Sequence, residues 1–182
     1  MNQSAEMNAF LAEVEKRAFN MARIGVTDTE DALDIVQDTM LTLVRRYGRR
    51  PRAEWRPLFF RILQSRITDH HRRSAVRRKL FGWFPGGSRG AGPHEDDPVA
   101  EVMDPGVADP ASRVALDGSA AAMEQAVTAL PLRQQQAFLL RTVEGLSVAE
   151  TAQAMGCSSG SVKTHLSRAH TTLRTELEDH WR

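Results

Sequence analysis

From residue 76 to residue 118 the chain has little with which to build a core. Gly86-Gly87-Ser88, Gly90, Gly92-Pro93, Pro98, Pro105-Gly106 and Pro110 punctuate this stretch, and acids are scattered between them. Gly and Pro at that density break helices and strands alike, and so few apolar groups cannot offset the entropy of ordering the backbone. The stretch reads as a flexible acidic linker, with Leu80, Phe81, Trp83 and Phe84 as a small apolar anchor near its start. Structure must therefore form on either side of it, over 1–75 and 119–182. As a free coil the linker would hold its ends roughly 35 Å apart, and fully stretched it would exceed ~120 Å, so the two sides can act at a distance.

On both sides the apolar residues recur at helical spacing. Met7, Phe10, Leu11, Val14, Ala18, Met21 and Ala22 share one face of a first helix, which Gly25 ends. Thr27 or Asp28 caps a second, whose stripe is Ala32, Ile35, Val36, Met40, Leu43, Val44 and Tyr47, with arginines in its last turn to suit the dipole. Trp55, Leu58, Phe59, Ile62, Leu63 and Ile67 mark a third, Pro57 being tolerable in its first turn. Beyond the linker a fourth helix runs from about Ser119 to Leu130, and Pro131 opens a fifth that Gly145 ends. No strand-like alternation and no repeat interrupts the pattern, so the expected fold is all-α: two small helical domains, 1–75 and 119–182, joined by the linker 76–118.

The last 40 residues carry the most specific local pattern. Val148, Ala152 and Met155 form one short stripe, Gly156 stands where a left-handed residue would stop that helix, and Val162, Leu166 and Ala169 start another. Two helices crossing steeply need a small residue at the crossing and a residue tolerant of positive φ between them, which Ala152 and Gly156 supply. Ser158 or Ser159 caps the second helix. This is a helix-turn-helix pattern, and its outward positions are Ser159, Ser161, Lys163, Thr164, Ser167 and Arg168: short hydroxyls and cations suited to phosphates and base edges in a major groove. An ordinary helical hairpin would place the same small residues for packing alone.

Charge is unevenly spread. Residues 1–44 carry a net −5, 45–79 a net +11 and 80–118 a net −5, while 119–182 are neutral. A polyanion partner is therefore expected at the block that opens with Arg49, Arg50 and Arg52. The polar face of the third helix bears Arg56, Arg61, Gln64, Ser65, Asp69, His70, Arg72 and Arg73 beside Trp55. Cations with a flat ring suit a single strand or a melting duplex, although a solvated arginine face with Trp55 in the core fits the same spacing. Asp69-His70-His71 places adjacent histidines about 100° apart on a helix, which favours solvent or phosphate contact over a metal. The second helix shows a row of Asp31, Asp34, Gln37 and Asp38, compatible with a solvated face, a docking surface for a basic helix or, less naturally, a carboxylate metal cluster.

Other classes find no support in the sequence. A single Cys157 excludes an internal disulfide framework, and with no His/Cys constellation beside it a zinc site is not expected. Its position in the turn predicts a small packing residue. No apolar run approaches the ~20 residues of a membrane span. Phe10 and Leu11 are soon followed by Glu13, Glu15, Lys16 and Arg17, unlike a signal peptide, which predicts a cytoplasmic protein without membrane insertion. There is no phosphate-cradling Gly loop and no nucleophile with a positioned base, so neither catalytic residues, cofactor, metal nor small-molecule substrate is expected.

Three segments together resemble bacterial RNA polymerase sigma factors of the extracytoplasmic-function (ECF) group. They are Asp31-Ala32-Leu33-Asp34-Ile35-Val36-Gln37-Asp38 with Met40 and Leu41; Phe59-Phe60-Arg61-Ile62 through Ile67, Asp69, Arg72 and Arg73; and Leu130 through Phe138 leading into the helix-turn-helix. The resemblance covers nearly the whole chain in the family's two-domain order. It implies that Asp31, Asp34, Gln37 and Asp38 dock on the clamp helices of core RNA polymerase. It implies that 49–73 recognises and melts the −10 promoter element, with Trp55, Arg61, Gln64, Ser65 and Asp69 nearest the bases, and that the second helix of the helix-turn-helix reads the −35 element. The linker would then follow the polymerase cleft, and an anti-sigma factor would hold the free protein. The two promoter elements lie roughly 50 to 60 Å apart at ~3.4 Å per base pair, so polymerase must brace the two domains. Ser65 stands where the family usually has Asn, His165 and His170 where Arg is common, and Leu58 where Trp is frequent.

Overall fold

The first three apolar stripes bury one another as three helices. In the computed structural model, which describes residues 3–81 and 118–180, these are α1 (Gln3–Val26), α2 (Thr29–Tyr47) and α3 (Arg52–Phe81). Phe10, Val14, Ala18 and Met21 of α1 meet Ala32, Ile35, Val36 and Leu43 of α2, and Trp55, Phe59, Phe60, Leu63 and Ile67 of α3 close the core. Phe10 sits between two rings, 5.9 Å from Trp55 and 6.1 Å from Phe59 between centroids, within the range where tilted aromatic pairs attract.

Several boundaries differ from expectation, each for a local reason. Gly25 does not stop α1; it lies buried in the last turn, where a Cβ would stand 2.9 Å from Ile67 Cγ2. Its task is to let α1 and α3 approach closely, and Thr27, at φ 63°, takes the left-handed residue instead. Asp28 then caps α2, accepting from the Asp31 backbone N–H at 2.9 Å. Pro57 lies inside α3 rather than in its first turn, because the helix starts at Arg52. The carbonyl that Pro57 cannot bond belongs to Ala53, which is exposed to water. At the other end α3 runs six residues into the expected linker, since 76–81 hold helix formers and no Gly or Pro before Gly82. Residues 82–117 of the expected linker, with Trp83 and Phe84 of the apolar anchor, lie outside the described residues, and its last residue, Gly118, opens the next helix.

The second half is built from α4 (Gly118–Thr128), α5 (Leu132–Phe138), α6 (Val148–Met155) and α7 (Ser159–His180). α5 continues into a π-helical turn over Leu139–Val143, where the Glu144 N–H reaches the Leu139 carbonyl at 3.0 Å. Val127, Leu130, Leu140, Val162, Ala169 and Leu173 make this half's core. The buried Gln135 amide donates to the Val127 and Thr128 carbonyls at 3.2 and 3.4 Å, satisfying the end of α4, and to Ile24 O of α1 at 3.4 Å. The halves pack together, α3 against α6 and α1 against α4. All regular structure among the described residues is helical.

Candidate functional site

The helix-turn-helix is held by caps at both ends of α6 and at the start of α7. Ser147 and Glu150 form a reciprocal capping box: the Ser147 N–H donates to Glu150 Oε2 at 2.8 Å and the Glu150 N–H to Ser147 Oγ at 3.2 Å. Hydrogen bonding to the Ser147 side chain, then to its backbone, holds the Glu150 carboxyl below its ordinary 4.5, against partial burial and with a smaller pull from Arg56. Gly156 ends α6 at φ 63°, ψ 38°, and the Cys157 N–H returns to the Ala152 carbonyl at 3.1 Å, closing a Schellman-type turn. Arg133 donates to the Met155 carbonyl at 2.6 Å. Ser158 caps α7 through the Ser161 N–H at 3.0 Å. Burial pushes the Cys157 thiol above its ordinary 9.0, consistent with a packing residue in the turn.

With Val162 and Ala169 fully buried beneath it, α7 turns Ser159, Lys163, Thr164, Ser167 and Arg168 to solvent. The sixth expected residue, Ser161, is half-buried and shares the cap, its hydroxyl 2.9 Å from Ser158 Oγ. Thr164 turns its hydroxyl back to the Gly160 carbonyl at 3.1 Å. His170, exposed at a position where the family commonly has Arg, lies edge-on to Phe138 at 5.7 Å between ring centroids.

On α3 the structure separates residues that the sequence placed together. Arg61, Ser65, Arg72 and Arg73 are exposed, Asp69 is half-buried and paired with Arg72 at 3.7 Å, and Arg49, Arg50 and Arg52 are exposed just before and at the start of the helix. Trp55 and Gln64 face the other way. Trp55 is 0% exposed against Phe10, and Gln64 is 2% exposed with its amide directed at Met21 Sδ, 2.9 Å away. Neither is presented to a base in this conformation, which corrects their expected place beside the arginines. The physical reason is packing: nine residues apart, the two lie on opposite borders of the buried face of α3, and Phe10 and Met21 of α1 cover them there.

The acidic row of α2 is also divided. Asp31 contacts His70 Nε2 at 2.8 Å and Asp38 accepts from Arg66 at 3.3 Å, so α3 tempers both, while Asp34 and Gln37 are exposed. Beside them runs an apolar stripe that the sequence reading missed: Leu33, Leu41 and Val44 are 46%, 49% and 44% exposed. Val44 thus belongs to the outer face and not to the core stripe. Leu33, Gln37 and Met40 also line a groove of about 340 Å³ against Ala12, Lys16 and Phe19 of α1. The signal was present in the spacing of Leu33, Gln37, Leu41 and Val44 by one or two turns, but α2 is apolar on two sides. Among the described residues no three His, Cys, Asp or Glu converge as metal ligands, and no helix is long and apolar enough to cross a membrane.

A bundle with an acidic and apolar outer helix, a basic third helix and a capped helix-turn-helix defines a class of DNA-reading factor. Residues 120–173 match the family model "Sigma-70, region 4". The chain is 30% identical over 173 residues to an RNA polymerase sigma-E factor of Streptomyces avermitilis, covering 95% of this chain and 86% of that protein. It is 29% identical over 159 residues to the ECF RNA polymerase sigma factor SigM of Mycobacterium tuberculosis, covering 87% and 70%. Among solved structures the fold matches the sigma factor RpoE of Bartonella quintana, solved in complex with the anti-sigma factor NepR, at a TM-score of 0.68 and 19% identity over 95% of this chain and 97% of that one. The chain belongs to the RNA polymerase sigma factors, in their ECF group, and so to the transcription initiation factors.

Proposed function

We propose that this protein is a cytoplasmic initiation factor without catalytic activity of its own, which joins core RNA polymerase and selects promoters through two surfaces. The outer face of α2 is the polymerase contact: Asp34 and Gln37 with Leu33, Leu41 and Val44 offer a helix face with an apolar centre and an anionic border, fitted to a partner helix with leucines and cations. Asp38 contributes at lower net charge because Arg66 already faces it, and Asp31 contributes with one carboxylate oxygen already engaged by His70. The −10 element is read by Arg61, Ser65 and Asp69, with Arg49, Arg50, Arg52, Arg72 and Arg73 on phosphates. The −35 element is read by Ser159, Lys163, Thr164, Ser167 and Arg168 of α7, which enters the major groove. The first half, the linker and the second half act as separate parts, and an anti-sigma factor, as in the Bartonella complex, holds the chain when it is idle.

The observation that carries this reading is the solvent-facing polar side of α7 over the fully buried Val162 and Ala169, in a helix-turn-helix capped at both ends of α6 and at the start of α7. Its neighbourhood is neutral, so the second half binds duplex DNA weakly alone and depends on polymerase. Asp34→Lys with Asp38→Lys abolishes co-purification with core polymerase. Lys163→Ala with Arg168→Ala leaves that co-purification and the melting temperature unchanged but removes run-off transcription from a two-element promoter. Tight operator binding by the chain without polymerase would instead identify a stand-alone repressor.

A further inference from the structure

Glu144 is the one carboxylate among the described residues buried in the second half, with its side chain 0% exposed, and both of its charged partners come from the first half. Arg17 of α1 stands 3.5 Å from Glu144 Oε2 and Arg56 of α3 stands 3.4 Å from the same oxygen, while Arg56 also donates to the Glu144 carbonyl. The π-helical turn just before it, with its wider arc, sets the direction in which Glu144 leaves the helix. Around this triad the seam continues in polar contacts: Arg23 pairs with Glu124, the Gln136 amide donates to Thr68 Oγ1 at 3.1 Å, and Gln135 reaches Ile24 O.

We infer that Glu144, clamped by Arg17 and Arg56, is a latch that holds the two halves in a closed, initiation-incompetent state. Directly packed helices have axes about 8–10 Å apart, and α6 of the helix-turn-helix packs on α3, the helix assigned to the −10 element. Promoter elements separated by roughly 50 to 60 Å cannot both be reached from that arrangement. The halves must part before one promoter is read at both ends. A seam of charges and amides suits this, because water rehydrates Glu144 and the arginines on opening, which offsets much of the lost attraction. An apolar seam would leave two sticky faces. Glu144 Oε1, Arg56 Nε and Gln136 Oε1 have no hydrogen-bond partner, so the closed state is incompletely satisfied and readily reversed.

The inference rests on the proposed function for its transcription readout and is independent of it for its shape readout. In the full-length chain Glu144→Gln and Glu144→Ala enlarge the radius of gyration measured by small-angle X-ray scattering while helix content by circular dichroism is retained. The factor concentration giving half-maximal run-off transcription falls about ten-fold, as expected when closure withholds most of the competent state. Conversely, Arg23→Cys with Glu124→Cys, in a Cys157→Ser background and joined by a short bismaleimide, loses initiation relative to the same chain left unjoined. Unchanged dimensions in both Glu144 variants, or full initiation by the joined chain, overturn the latch. If the unjoined parent supports no initiation with core polymerase, the functional reading fails and the scattering measurement alone decides the latch.

Discussion

Replacing Trp55 by alanine tests whether this residue packs or reads DNA. Its side chain is 0% exposed, tilted at 53° against Phe10 and sharing a wall with Phe59. An aromatic side chain of this kind buries about 150–250 Å², and removing one from a packed core costs about 3–5 kcal/mol including the cavity left behind. In a helical unit of this size each kcal/mol lowers the melting temperature by about 4–8 °C, so Trp55→Ala should melt at least ~12 °C below the parent. Trp55→Phe keeps most of the volume and should lose less than half as much. The assay is a thermal melt followed by far-ultraviolet circular dichroism, paired with promoter opening on a supercoiled template at a temperature where both variants remain folded. If Trp55→Ala melts within ~2 °C of the parent yet no longer opens the promoter, the burial argument is refuted and the ring belongs to the DNA face after all.

Two further outcomes follow from local geometry. Glu150→Gln keeps a side chain able to close the capping box but removes the negative charge at the start of α6, so it destabilises the helix-turn-helix by about 0.3–1 kcal/mol near neutral pH. The folded state holds the Glu150 carboxyl below 4.5, so its contribution is complete above that value and disappears as pH falls through the lowered one. The stability gap between Glu150→Gln and parent, measured by denaturant titration, should therefore narrow as pH falls below 4.5 and vanish below the lowered value. Gly25→Ala places a methyl 2.9 Å from Ile67 Cγ2, which can move only if this β-branched side chain leaves its helical χ1 rotamer. Despite the better helix propensity of Ala, a net loss of about 1–2 kcal/mol is expected from the urea midpoint. A gain would mean that α1 and α3 separate freely.

The helix-turn-helix was legible because its geometry forces residue types: Ala152 at the crossing, Gly156 at positive φ and Val162 beneath the second helix are each the small, permissive or apolar residue their place requires. The Ser147-Glu150 box was equally readable as Ser-x-x-Glu and was overlooked. On α2 the periodicity located a helix but not its inner side, since Ile35, Val36 and Leu43 compete with Leu33, Leu41 and Val44 for the core, and only packing against α1 and α3 decides. Trp55 and Gln64 lie at the borders between the buried and polar faces of α3, where spacing alone fits either side, and packing on Phe10 and Met21 decides for the core. The Glu144 contacts could not be read at all. Nothing local distinguishes that glutamate from a solvated one, and Arg56 stands 88 positions away across the linker.

The wide turn at Leu139–Val143 also stores one residue of slack. A turn closed by an i to i+5 bond spends about one residue more than an α turn on nearly the same rotation, so deleting a single residue there would restore ordinary winding and leave everything downstream aimed almost as before. A second insertion has no such outlet and should rotate the helices that follow by up to about 100°.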